Sequence, residues 1–325
     1  MQEWRRSDAV IFIGDSITAE EKYTRILVDF YALHFPERQI LFHNVAVPGG
    51  SSRVAVQNFD ALICAKKPTT ATVMFGMNDM RLSLYEPKKP ITEALLKARE
   101  EAFEAYKENL HVLHDKLGTV SHTFFAPTPY DENPEMDAPL CRGYDAMLRR
   151  AAAHISASFE NSLDLHAVLD SAGARKLVPT VIGPDRIHPE NIGHGIIAHK
   201  ILEAQGFENP RLPLWDESIT EKEKEILALF GIHADTAPKN PFSDARYEAS
   251  KRLVLYKYVE LNVLAGQGID THNKGQAKKF IEMQLETIMD AWRENAYRTY
   301  LENCGEEEKL QDAVLVLNEK MYKVK

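Results

Sequence analysis

Short β-rich apolar runs alternate with stretches of helical spacing up to about residue 207, and no other feature of the sequence limits the fold so tightly. The apolar runs are Ala9–Ile13, Ile40–Val45, Ala71–Phe75, Ser121–Phe125 and Ser162–Leu165, each of strand length. Helical periodicity covers Tyr23–His34, Glu93–Leu117, Leu140–Phe159 and Asn191–Gln205. A chain that leaves a strand through a helix returns to the sheet by a crossover, so repeated βα units build a parallel sheet with helices on both faces. The sequence thus predicts an α/β protein, a three-layer α/β/α sandwich around a mainly parallel five-stranded sheet. Ligands of such sheets bind beyond the carboxyl ends of the strands.

The 325 residues are more than one such unit requires. In Asn209-Pro210-Arg211-Leu212-Pro213 two prolines stand close together, which interrupts helical hydrogen bonding and marks a boundary. The expected division is a domain at residues 1–207 and a helical C-terminal extension at 208–325, without strong strand signals. Helices are expected there at Glu221–Phe230, Tyr247–Leu264, Lys278–Leu301 and Leu310–Tyr322. Ile281, Leu285, Ile288, Met289, Trp292 and Ala296 share one face of the third. Such a face needs covering, so a homo-oligomer through these helices, or a roof over the ligand site, is expected.

The net charge is −9, and no block of like charge is longer than Glu306-Glu307-Glu308, which argues against a nucleic-acid partner. Cys64, Cys141 and Cys304 are too scattered for a disulfide framework or a cysteine zinc site and are expected to be buried free thiols. No apolar run approaches the ~18 residues of a membrane span. Ala9–Ile13 is too short for the apolar core of a signal peptide, so a cytoplasmic location is expected.

Four places carry residues suited to chemistry. The first apolar run passes straight into Gly14-Asp15-Ser16-Ile17-Thr18, which puts a hydroxyl at the sheet's carboxyl edge, although Asp15 or Ser16 could equally cap a helix. Gly183-Pro184-Asp185-Arg186-Ile187-His188-Pro189 precedes the last helix of the α/β part. A serine hydroxyl needs a base to take its proton, and a carboxylate three residues before a histidine can fold back to fix the imidazole. Asn44-Val45-Ala46-Val47-Pro48-Gly49-Gly50 and Phe75-Gly76-Met77-Asn78-Asp79 follow the second and third runs. A glycine lets backbone N–H groups approach a substrate, and Asn78 offers an amide to a developing oxyanion.

In this order the four blocks resemble those of the SGNH/GDSL hydrolases, a family of serine esterases and acylhydrolases with a flavodoxin-like sheet. The resemblance implies Ser16 as nucleophile, with His188 and Asp185 completing a triad. It implies an oxyanion hole formed by the backbone N–H of Ser16, the N–H of Gly49 and the side chain of Asn78. Ala46 stands where many members have glycine, and Gly50 follows Gly49, so either of the two glycines can be the donor. The extension lies outside the resemblance.

The activity implied is a serine esterase for small acyl groups, acetyl esters of carbohydrates foremost, with a small-molecule ester as partner and no metal or organic cofactor. The alternatives are a lipase or thioesterase for longer chains, and a non-catalytic binding or scaffold module. Asp15, Gly50, Asp79, Arg53, Arg81 and Tyr130 are candidate pocket residues, and Asn58, Asp79, Arg53 and Arg81 suit a hydroxylated ligand better than a long acyl chain. His194 and His199 have helical spacing, but no third metal ligand accompanies them, so a solvated or core-edge pair is expected. The Gly-x-Ser-x-Gly elbow of α/β-hydrolases is absent around Ser16.

Overall fold

The computed structural model describes residues 1–236 except 36, 37, 39, 134, 135, 172–180 and 215–219. Strand β1 (Ala9–Gly14) is buried along its whole length, which is why it reads as an unbroken apolar run. It pairs in parallel with β2 (Leu41–Asn44) on one side and β3 (Thr70–Met74) on the other, and β4 (Ser121–Phe125) and β5 (Ser162–Leu163) follow outward. The order β2-β1-β3-β4-β5 reverses direction between β1 and β3, and the crevice at such a switch point is the usual ligand site. The register aligns Gly14 with Met74, Met74 with Phe125 and Phe125 with Leu163, so the loops that follow these strands leave along one edge.

The short helix α1 (Ser16–Ala19) and then α2 (Lys22–His34) connect β1 to β2. Helices α3 (Ser52–Gln57) and α4 (Phe59–Leu62) connect β2 to β3, α5 (Glu93–Leu117) connects β3 to β4, and α6 (Tyr144–Ser158) connects β4 to β5. Right-handed crossovers running in opposite directions lie on opposite faces, which separates α2 from α3, α5 and α6. In α5, Ala102, Phe103, Tyr106, Leu110, Leu113 and Leu117 are buried at three- and four-residue steps. Thr92 starts that helix by accepting from the Leu95 N–H, and Gly118 ends it at φ +53°. After β5 come α7 (Leu165–Asp170) and α8 (Asn191–Ala204), and α8 packs on both α2 and α7.

Core packing continues past residue 207. Strands β6 (Leu212–Leu214) and β7 (Ala234–Thr236) pair in parallel, joined by α9 (Glu221–Leu229). Leu212, Leu227 and Ile232 are buried in the same core as α2 and α8. The expected division at 207/208 thus falls inside continuous packing, and the expectation of a strand-free extension is corrected by this two-stranded sheet. Its strands have three residues each and pair through backbone groups, too short to leave a side-chain pattern. Helix α8 is buried at ten of its fourteen positions because α2, α7 and α9 all pack on it.

Other boundaries shift for local reasons. The helix expected from Leu140 begins at Tyr144, behind Gly143 at φ +82°. The strand expected through Leu165 stops at Leu163, because Asp164 caps α7 by accepting from the Ala167 N–H. Helices α3 and α4 are too short to show a helical period in the sequence. Cys64 is exposed rather than buried, whereas Cys141 is buried. The expected helices at 247–264, 278–301 and 310–322 lie outside the described residues, as does Cys304. No described helix is long and apolar enough to cross a membrane.

Candidate active site

Strand β1 delivers Gly14 and Asp15 to the carboxyl edge. A Cβ at Gly14 would sit 2.8 Å from the Thr18 Cβ and 3.0 Å from the Met74 carbonyl, so only glycine lets α1 fold back this closely. Asp15 is extended and caps α1 by accepting from the Ile17 N–H at 3.1 Å, which leaves Ser16 at the first helical position. The capping role and the hydroxyl at the sheet's edge thus fall to adjacent residues, Asp15 and Ser16. As a first-turn donor, the Ser16 N–H has no acceptor within the helix.

The loop between β-bridge partners Ile182 and Pro189 brings the other groups. It is closed by the Gly183 N–H on the His188 carbonyl at 2.7 Å and the Arg186 N–H on the Gly183 carbonyl at 3.0 Å. Within it, Asp185 Oδ1 accepts from the N–H groups of Ile187 (2.9 Å) and His188 (3.0 Å). Its Oδ2 lies 2.5 Å from Nδ1 of His188. Nε2 of His188 is 2.8 Å from Oγ of Ser16. The three residues therefore form one continuous chain of hydrogen bonds, across 172 positions of sequence between Ser16 and His188. Burial pushes the Asp185 carboxyl up, but hydrogen bonds from the His188 ring and the two backbone N–H groups outweigh this and hold it below the usual carboxylate range.

Two further loops are bonded to the first and to each other. Asn44, at the end of β2, donates to the Thr18 carbonyl at 2.8 Å and accepts from the Ala46 N–H, while the Val47 N–H donates to the Gly14 carbonyl. Gly49 lies exposed at φ +70°, a conformation that favours glycine. Gly50 is buried, and its N–H already donates to the Val47 carbonyl at 2.8 Å. Its carbonyl accepts from Nδ2 of Asn78 at 2.9 Å, which uses one of the two amide hydrogens and orients the other. Asp79 is buried behind Asn78 and accepts from both the N–H and the hydroxyl of Ser52.

Asp15 and Asp79 are both buried. Burial foremost raises the Asp15 carboxyl to about 7; the Ile17 N–H opposes the rise and the neighbouring Asp79 adds to it. Burial also raises Asp79 to about 6, against the hydrogen bonds from Ser52. Neither residue lines an open pocket as expected; both hold loops. Tyr130 is corrected in the same way, being 1% exposed. Its hydroxyl donates to the Pro139 carbonyl and accepts from the Cys141 N–H, so it serves the loop's packing. Arg53 and Arg81 are exposed, close in sequence to Gly49 and Asn78.

His194 and His199 are buried rather than solvated, with Nε2 of His194 3.3 Å from Glu20 and Nδ1 of His199 3.8 Å from Glu203. Among the described residues no three side chains of metal-binding type gather. Sequence reasoning missed the Glu20–His194 contact and the anchoring bonds of Arg186, because neither follows from residue spacing.

Residues 12–196, more than half of the chain, match the GDSL-like lipase/acylhydrolase family. The chain belongs to this family. As a GDSL-like member it is a carboxylic ester hydrolase. Among its curated relatives is the acetylxylan esterase of Geobacillus stearothermophilus, 24% identical over 220 residues that cover 62% of this chain and 95% of the relative. The solved structure of a catalytic mutant of that organism's acetylxylan esterase Axe2 superposes with a TM-score of 0.51 at 20% identity, covering 64% of this chain and 98% of that one. A gut microbial diltiazem-metabolizing enzyme superposes with a TM-score of 0.68 at 16% identity, covering 100% of this chain and 96% of the other. At such identities the structural likenesses speak for the fold alone.

Proposed function

We propose that this GDSL-family esterase cleaves small acyl esters, above all acetyl esters of carbohydrates, through an acyl-enzyme on Ser16. The observation that carries the reading is the hydrogen-bonded chain from Ser16 through His188 to Asp185 at the carboxyl edge of the sheet. In the neutral imidazole that Asp185 holds, Nδ1 carries the proton and Nε2 is free to take that of Ser16. Ser16 Oγ then attacks the ester carbonyl carbon. The oxyanion is received by the Ser16 N–H, the Gly49 N–H and the second amide hydrogen of Asn78. Gly49 fits the donor role better than Gly50, whose N–H is occupied. The His188 imidazolium protonates the departing alkoxide, and the neutral ring next takes a proton from water that attacks the acyl-enzyme, releasing the acid and Ser16.

Acetyl and carbohydrate selectivity is supported by the acetylxylan esterase relative and by the exposed Arg53, Arg81 and Asn58, which suit a hydroxylated alcohol better than an alkyl chain. In Axe2, substitutions described as catalytic mutants fall on a serine, an aspartate and a histidine, the last two three positions apart as in Asp185 and His188. Nitrophenyl esters of rising chain length test the acyl side. A sharp fall in kcat/KM beyond butyrate is expected; a maximum at octanoate or longer would overturn the proposal in favour of a lipase. Release of acetate from acetylated xylo-oligosaccharides tests the alcohol side.

A further inference from the structure

Arg186 lies between Asp185 and His188, yet it is 1% exposed. Among the described residues its guanidinium meets no carboxylate. It donates instead to four main-chain carbonyls, from Nε to Ala138 (2.8 Å), from Nη1 to Asp131 (2.9 Å) and Asn133 (2.5 Å), and from Nη2 to Met136 (2.8 Å). The Arg186 carbonyl in turn accepts from the Asp131 N–H at 2.9 Å. All four acceptors belong to one loop that follows β4, whose ends Tyr130 ties together through Pro139 and Cys141. The guanidinium is thus held by carbonyls at residues 131, 133, 136 and 138, and its own backbone leads two residues on to the base of the proposed mechanism.

Burying a guanidinium against carbonyl dipoles without a counter-charge is costly. Arg186 also holds φ +71°, a conformation that favours glycine and adds to that cost. A glycine would make the same turn with less strain, so the side chain serves something other than the turn. His188 Nε2 can accept from Ser16 only while the 183–189 loop keeps its place against the sheet edge, and the bonds from Arg186 fix that loop to the segment after β4.

We infer that Arg186 is a positioning residue that holds His188 in register with Ser16 by locking the 183–189 loop to the main chain at Asp131, Asn133, Met136 and Ala138. The inference rests on the proposed triad. Misplacing a catalytic base by about 1 Å can cost on the order of 10²-fold in rate. The structure therefore calls for a fall in kcat with KM for a small ester nearly unchanged.

The test uses the full chain and nitrophenyl acetate, with R186G, R186K and Ser16→Ala. R186G suits the positive φ and leaves a guanidinium-shaped vacancy; R186K keeps the charge and loses the fork. Both should lose kcat at least tenfold with KM within about twofold, on the scale expected for misplacement. Added methylguanidinium should restore part of the kcat of R186G and leave R186K unchanged, a rescue that general destabilisation would not show. A folded R186G or R186K at the parent kcat would overturn the inference, as would absence of rescue. Failure of both variants to fold would make Arg186 a structural residue and overturn it too. An inactive Ser16→Ala beside a fully active R186G would sink this inference alone; an active Ser16→Ala would sink the triad along with it.

Discussion

Asp79 accepts hydrogen bonds from both the backbone N–H and the hydroxyl of Ser52, so the loop carrying Asn78 is stapled to the helix that follows Gly49 and Gly50. The two loops that supply proposed oxyanion donors are thereby fixed to each other beneath the surface. In Asp79→Ala both Ser52 donors lose their acceptor in a buried site, at about 1–3 kcal/mol for each unsatisfied group. The variant should melt lower and lose kcat, and Asp79→Asn, which keeps one acceptor oxygen, should lose less of both. Thermal unfolding beside kcat on an acetyl ester checks this. Equal losses in the two variants would show that the acceptor is immaterial.

Ser16 and His188 act as a unit in the proposed mechanism, so their losses should not add. Ser16→Ala and His188→Ala should each lower kcat by on the order of 10⁶, with the double variant no slower than either. Asn78→Ala should lower kcat by about 10²–10³ with KM little changed, because its donor acts on charge that develops only in the transition state. Additive losses in the double variant would mean that the two residues work independently.

The legible parts of the molecule are those where one side chain answers to one requirement. Strand β1 announces itself because burial on both faces demands apolar residues at every position. Asp185 and His188 pair from a three-residue spacing that lets a carboxylate fold back on an imidazole. Tyr130 misleads because an aromatic ring with a hydroxyl suits a pocket and a core alike, and its partners are main-chain atoms with no signature. Arg186 escapes notice for the same reason: carbonyl acceptors belong to every residue. The depth of Asp15 and Asp79 depends on the stacking of four separate loops, which no local window of sequence contains.

Stability should respond to pH through Asp15. Its carboxyl titrates near 3.8 in an unfolded chain and at about 7 in the fold, so the folded state binds the proton more tightly. The stability this gives is complete below 3.8 and is lost as pH rises through about 7. His122, His154, His194 and His199 act in the opposite sense: burial lowers each, so their contribution is present above 6.5 and lost as pH falls. Comparison with Asp15→Asn isolates the carboxyl, since asparagine retains the cap. The Tm of Asp15→Asn minus that of the parent should grow between about pH 5 and pH 8.5, as the parent's carboxylate ionises in a buried site. A constant difference over that range would refute the burial of an ionisable group there.

Leu227 and Leu229 lie two residues apart on α9, one fully buried and the other 77% exposed. A Cβ at Gly195 on α8 would come within 3.1 Å of Leu227 Cδ2, so a glycine on the apolar helix makes the room that this side chain fills. Leu227→Ala should therefore cost about 2–5 kcal/mol, the range for a buried leucine whose cavity cannot fully collapse. Leu229→Ala should stay within about 0.5 kcal/mol of the parent. Both should leave KM for a small ester unchanged, because neither side chain belongs to the proposed triad or oxyanion hole, and Leu227 packs on Gly195 of α8. Denaturant unfolding of the two variants reads the difference directly. Equal stabilities would show that the unit after residue 207 is not part of the hydrolase core and would restore a boundary at the two prolines.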